Sequence, residues 1–165
     1  MSQPFVRSSA ICYCGLFLVS LVVAYWQDRL EAIFGFSSWS QTGNNALIGL
    51  LLATGVVLAG AALRGTFKWA EKVEEELALL LGPLRIRDIV VLALTSGVAE
   101  EFFFRATMQP LCGLVVTSLI FGLLHLPVNR RLIPWTILAI GMGFLFGIIY
   151  RETDSLLAIV IGHCL

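Results

Sequence analysis

The sequence predicts an all-α polytopic membrane protein: a transmembrane helix bundle of about six spans, with an interfacial helix between spans two and three. Three observations carry that expectation. Of the 165 residues, 58% are hydrophobic and only 13% charged, and the mean hydropathy is +0.90. That is far too apolar for a soluble domain of this size. A bilayer core is about 30 Å thick and a spanning helix needs about 20 apolar residues, so the chain has length for about six spans and little else. Apolar runs also recur from one end of the chain to the other, with short polar or Pro-containing breaks between them. The lipid bilayer is therefore the partner that composition demands. A net charge of zero and the lack of a basic block exclude nucleic acid as a partner.

Arg7 precedes the first apolar run, Ile11–Trp26. No small-x-small cleavage site follows, and Tyr25-Trp26 suits an interfacial belt, so this run reads as a retained signal anchor and first span. A polar stretch, Gln27–Asn45, holds a short amphipathic piece around Leu30–Phe36. Span two is Ala46–Leu63, where Gly49, Gly55 and Gly60 suit close helix packing. Arg64–Glu76 is the most charged segment, and its Phe67 and Trp69 predict a helix lying at the interface. Leu77–Leu84 tucks against the membrane. Span three runs from Asp88, an expected N-cap, to Gln109, closed by Pro110. Spans four, five and six are Leu114–Leu126, Leu132–Tyr150 and Ser155–Leu165. Positive residues fall mainly on one side of this arrangement, which predicts a cytoplasmic N-terminus. The four cysteines lack C-x-x-C spacing and read as buried structural thiols.

The feature hardest to explain away is Glu100-Glu101 in an apolar helix, with Arg105 four residues after the second glutamate. Each charged side chain deep in a membrane costs about 2.5–3.5 kcal/mol on insertion scales. Adjacent helical residues point about 100° apart, so the two glutamates cannot do the same job. Glu101 and Arg105 stand in the favourable acid-first i, i+4 order and can neutralise each other. Glu100 is left without a local partner, which suits a general base in a partly wet cavity. Ser96 and Gly97, one turn back, leave room for another helix. The chain's two histidines, His125 and His163, also lie in apolar helices. The competing expectation is a polar network that merely holds the helices together.

Glu-Glu-x-x-x-Arg, then Phe121-x-x-x-His125, then a last-helix His163 resembles the CPBP family of intramembrane proteases, which includes the Rce1-like CAAX prenyl endopeptidases, the Abi proteins and lysostaphin-resistance-like proteins. The resemblance covers roughly Arg85–Leu165. It divides the chain into residues 1–84, two spans and an interfacial segment, and residues 85–165, a catalytic core. It implies an intramembrane endopeptidase acting on a membrane-anchored peptide or protein. Glu100 would activate water, His125 would position it and His163 would stabilise the oxyanion, with Glu101, Arg105 and Phe121 in support. The family's last motif implies a polar residue at position 167, so the chain is expected to continue past Leu165. No cofactor is expected, although Glu100, His125 and His163 could also make a two-His-one-carboxylate zinc site. The Zn signature His-Glu-x-x-His is absent. The short soluble loops suggest a multi-pass protein of a prokaryotic cytoplasmic membrane. A catalytically silent binding or bacteriocin self-immunity protein of the same fold is the alternative.

Overall fold

A computed structural model describes residues 4–34, 38–127 and 129–165. In lipid, backbone polar groups must be satisfied within the segment, which leaves helices or closed barrels as the spanning forms. Every regular element among the described residues is helical. In chain order they are α1 (Pro4–Trp26), α2 (Leu30–Phe34), α3 (Trp39–Thr66), α4 (Lys68–Leu81) and α5 (Ile86–Glu101). α5 runs directly into a π-helical segment, Phe102–Met108, and then into α6 (Gln109–Leu124). A 3-10 turn, Arg130–Leu132, leads to α7 (Ile133–Thr153), and α8 (Leu156–Cys164) follows. The last two residues of the amphipathic piece expected around Leu30–Phe36, at positions 35–36, lie outside the described residues.

Local chemistry sets the boundaries. The Ser38 hydroxyl caps α3 by accepting from the Gln41 N–H at 3.3 Å. Gly82 ends α4 at φ +64° and ψ −170°, an extended positive-φ conformation that glycine alone adopts readily, and Asp154 ends α7 in the left-handed helical conformation at φ +47°. Asp88 is not the N-cap of α5. Arg85 holds that position, and Asp88 lies inside the first turn, buried and 3.7 Å from Arg87.

Four helical stretches among the described residues are long and apolar enough to cross a membrane: Pro4–Trp26, Trp39–Thr66, Ile86–Leu124 and Arg130–Thr153. The expected spans three and four both lie in the third of these. They are not one straight rod. Phe104 and Phe121 would stand about 25 Å apart along a straight helix, yet their ring centroids are 5.0 Å apart. The chain reverses at Gly113, whose φ of 76° and ψ of 167° are not helical. Pro110, expected to close span three, instead sits in the first turn of α6, where a missing N–H costs little. The expected sixth span is α8, only nine residues long.

Small residues let the helices touch. A Cβ on Gly49 would meet the Ala158 carbonyl at 2.6 Å, so α3 and α8 pack backbone to backbone. A Cβ on Gly122 would lie 2.9 Å from the Ile140 backbone, which joins α6 to α7 equally closely. Gly55 and Gly60 have no neighbour within 4 Å of such a Cβ and line an open cavity instead of a helix contact. The cysteine expectation is corrected too. Cys12, Cys14 and Cys112 are exposed on the outside of the bundle, and Cys164 is half-buried. An outward-facing position on a lipid-covered helix suits an apolar thiol as well as a core position does.

α4 is amphipathic, with Val73 turned inward while Leu79 and Leu80 are exposed. It joins the end of α3 to the turn before α7. Arg64 pairs with Glu74 at 3.1 Å and Arg131 with Glu76 at 2.6 Å. At the opposite end of the bundle, Arg29 donates to the Tyr150 hydroxyl at 3.4 Å and Gln27 to the Thr107 carbonyl at 3.3 Å.

Candidate active site

The site forms where α5, the π segment, α6 and α8 converge. Glu100 and Glu101 are the last two residues of α5 before the π segment. A π turn within an α-helix is uncommon and tends to fall at functional positions. Here it changes the direction of every side chain after Glu101. Phe102 meets Phe17 of α1 with centroids 4.9 Å apart, and Phe104 meets Phe121 of α6.

α8 reaches α5 because Gly97 has no side chain. A Cβ there would lie 2.5 Å from Cys164 Sγ and 3.6 Å from His163 Cβ. The Cys164 thiol donates to the Ala93 carbonyl at 3.3 Å and fixes the end of α8 at this level. The room expected one turn before Glu100 is thus filled by the helix that carries His163.

Glu101 is the hub. It is fully buried, with one carboxylate oxygen, Oε1, accepting from His163 Nδ1 at 2.7 Å. Its Oε2 faces Arg105 Nε at 3.2 Å in a pair with no exposure on either side chain. This second contact is a charge contact rather than an aligned hydrogen bond, since neither atom satisfies hydrogen-bond geometry. The Arg105 guanidinium also lies over the Phe121 ring, 5.2 Å from its centroid, and 6.0 Å from that of Phe104. A desolvated guanidinium gains from such ring faces.

Glu101 orients the His163 ring. A carboxylate only accepts, so Nδ1 carries a proton and Nε2 points away. Nε2 faces Glu100 Oε2 at 4.0 Å. That Glu100 oxygen is buried with no hydrogen-bond partner. A separation of 4.0 Å is too long for a direct hydrogen bond, yet a water offset from the line between the atoms reaches both at about 2.8 Å.

His125 terminates α6. Its Nδ1 donates to the Phe121 carbonyl at 2.7 Å, and its own carbonyl accepts from the Thr136 hydroxyl at 3.0 Å. It pairs with neither glutamate. Phe121 stands between the two imidazoles, 4.7 Å from the His125 ring and 6.5 Å from that of His163. Both histidines line a cavity of about 730 Å³ between α3 and α7, otherwise walled by side chains such as Leu52, Val56, Met142 and Phe146. Leu51 and Val57 on its α3 wall are largely exposed, which leaves the cavity open to the side.

The structure thus gathers Glu100, Glu101, Arg105, Phe121 and His163 directly, and brings in His125 through Phe121 and the cavity. Three features escaped sequence reasoning. The Glu101–His163 bond joins residues 62 apart in the chain. The π segment has no motif. Tyr13 of α1, half-buried, has its hydroxyl facing Glu100, and nothing local to Tyr13 distinguishes it from an interfacial aromatic. Asn129 is a turn residue, accepting from the Arg131 N–H at 3.1 Å.

For a metal, Glu100 and His163 could share one cation. Among the described residues no three His, Cys, Asp or Glu side chains converge as a ligand set; the Glu101 bond to His163 Nδ1 leaves Nε2 as the one ring nitrogen open to a ligand. The donors present do not fit a two-His-one-carboxylate zinc site.

The chain is 36% identical over 80 residues to the uncharacterized protein YpbD of Bacillus subtilis (strain 168), an overlap covering 47% of this chain and 41% of that relative. The chain thus spans about two fifths of the length of the curated relative it matches. No solved structure matches. The family described as type II CAAX prenyl endopeptidase Rce1-like matches residues 82–165, just over half of the chain and all of the site-bearing helices α5 to α8. This helical membrane protein belongs to the Rce1-like family.

Proposed function

We propose that the chain is an intramembrane endopeptidase of the glutamate type, hydrolysing a peptide bond in a membrane-anchored peptide or protein. The observation that carries this reading is the buried, unpartnered Glu100 Oε2 facing His163 Nε2 across a gap suited to one water. Glu100 takes a proton from that water, and the hydroxide adds to the scissile carbonyl carbon. His163, as an imidazolium held on Nδ1 by Glu101, donates from Nε2 to the oxyanion. Glu100 then returns its proton to the leaving amine as the C–N bond breaks. His125, whose Nδ1 is tied to the Phe121 carbonyl, presents Nε2 to the cavity and orients the water or the peptide. Arg105 compensates the charge of Glu101, so that Glu101 acts on His163 as a fixed anion.

The cavity supports an apolar substrate segment. Its volume is in the range of sites for small organic ligands, and its open α3 side admits a chain from the lipid. The family's description names a CAAX prenyl endopeptidase, and a lipid-modified peptide suits such apolar walls. The cluster of basic residues near α4 supports a cytoplasmic N-terminus and active-site mouth, and the short loops support a prokaryotic cytoplasmic membrane.

The test is cleavage of membrane-anchored reporter peptides by wild type and by Glu100→Ala, each with and without a chelator. Loss in Glu100→Ala with no effect of chelator supports the glutamate mechanism. Loss with chelator as well would restore a metal. No cleavage by wild type, with the cellular phenotype preserved in Glu100→Ala, would replace the enzyme with a silent binding protein of the same fold.

A further inference from the structure

The walls of the cavity are α3 and α7, and one element connects them at one end. α4 leaves α3 through Phe67 and packs against the turn before α7, where Glu76 makes its polar bonds to that turn. Glu76 Oε1 accepts from Arg131 Nη1 at 2.6 Å, and its Oε2 accepts from Asn129 Nδ2 at 2.9 Å. Both carboxylate oxygens are engaged by one short turn. Asn129 is braced in turn by accepting the Arg131 N–H. The Glu76 side chain is only 18% exposed, although Arg131 is 75% exposed. An ion pair to so exposed an arginine contributes little by itself, and the second bond, from Asn129, is what ties Glu76 to the turn in a defined geometry.

The turn that Glu76 holds follows His125 directly. Trp135, one helical turn beyond Arg131, lines the cavity with its ring 6.3 Å from that of His125, and Thr136 holds the His125 carbonyl. Leu63, near the end of α3, lines the same end of the cavity. We propose that α4 is a strap across this end of the cavity, and that Glu76 is the positioning residue that latches it to the His125-bearing turn. The latch sets how far α3 and α7 can part, and so governs entry of a peptide to the site. This deepens the endopeptidase reading and rests on it for the word peptide. The strap itself does not depend on catalysis.

The experiment therefore reads the mouth before the chemistry. In a variant with Trp26, Trp39 and Trp69 changed to Phe, Trp135 is the sole indole, and quenching by neutral acrylamide reports access to it without responding to the charge change. Glu76→Lys is expected to steepen the quenching, and the charge swap Glu76→Lys with Arg131→Glu to return it to the starting slope. An unchanged slope in Glu76→Lys, or a slope that stays high in the swap, would overturn the strap. In the peptidase assay, Glu76→Lys is expected to change KM about two- to fivefold with kcat altered less, and the swap to reverse it. A chain with no peptidase activity still gives the quenching result, and Glu100→Ala tests the activity separately.

Discussion

Replacing Glu101 by Leu, Arg105 by Met, and both together, tests whether the buried charges act as one unit. Neither side chain has any exposure, so Glu101→Leu strands a guanidinium with no water to take it, and Arg105→Met leaves the Glu101 carboxylate with only the His163 N–H. Breaking a buried pair by removing one partner costs about 3–5 kcal/mol. In Glu101→Leu the stranded guanidinium keeps only the ring faces of Phe121 and Phe104, 5.2 and 6.0 Å from its carbon. Those contacts are worth about 0.5–2 kcal/mol, too little to replace a carboxylate. The double variant removes both charges. What remains is the His163 N–H that donated to Glu101, and an unsatisfied buried donor costs about 1–3 kcal/mol. Two independent losses would therefore total about 6–10 kcal/mol, whereas a coupled pair leaves the double variant no worse than either single one. The assay is equilibrium unfolding in mixed detergent micelles, followed by helical circular dichroism. Additivity of the two single effects to within about 0.5 kcal/mol would refute the coupling. It would also remove the reason for treating Glu101 as a fixed anion behind His163.

Gly97→Ala is expected to lower peptidase activity about tenfold or more, because its Cβ would lie 2.5 Å from Cys164 Sγ and move the helix end that carries His163; adding Cys164→Ala removes the clash and should restore activity measured on the reporter. Gly122→Ala, which would press a Cβ against the Ile140 backbone, should cost about 1–3 kcal/mol in the same unfolding assay, while Gly55→Ala, facing open space, should stay within about 1 kcal/mol of wild type. Gly113→Ala should cost about 1–3 kcal/mol, since φ 76° with ψ 167° is a region that essentially only glycine enters, and Gly113→Asn should cost as much.

Composition and apolar runs made the helical class legible, since lipid leaves a chain few other ways to satisfy its backbone. Boundaries were harder. Pro110 looked like the stop of span three because proline usually ends a helix, yet its missing N–H falls in a first turn that needs no donor. The actual reversal is at Gly113, one of fifteen glycines, and nothing local to it announces a left-handed φ. The pairing of Glu101 with Arg105 was readable because i, i+4 neighbours are fixed by helix geometry alone. The pairing of Glu101 with His163 was not, because it depends on α8 arriving at Gly97. Glycine records that a neighbour comes close without saying which neighbour.

The same contrast explains how the two glutamates divide their work. On a regular helix, Glu100 and Glu101 differ only by rotation. What separates them is what α8 brings to each. Glu101 receives the protonated face of His163 and the guanidinium of Arg105, so both of its oxygens are spoken for. Glu100 receives the other ring nitrogen at 4.0 Å and keeps an oxygen with no partner. One imidazole is thus gripped on one side and offered to a water on the other. A network built only to bind helices together would have closed that last gap, because an unsatisfied buried carboxylate oxygen is costly. The gap persists beside an apolar cavity with an open flank, which is where a water-activating carboxylate must be left free.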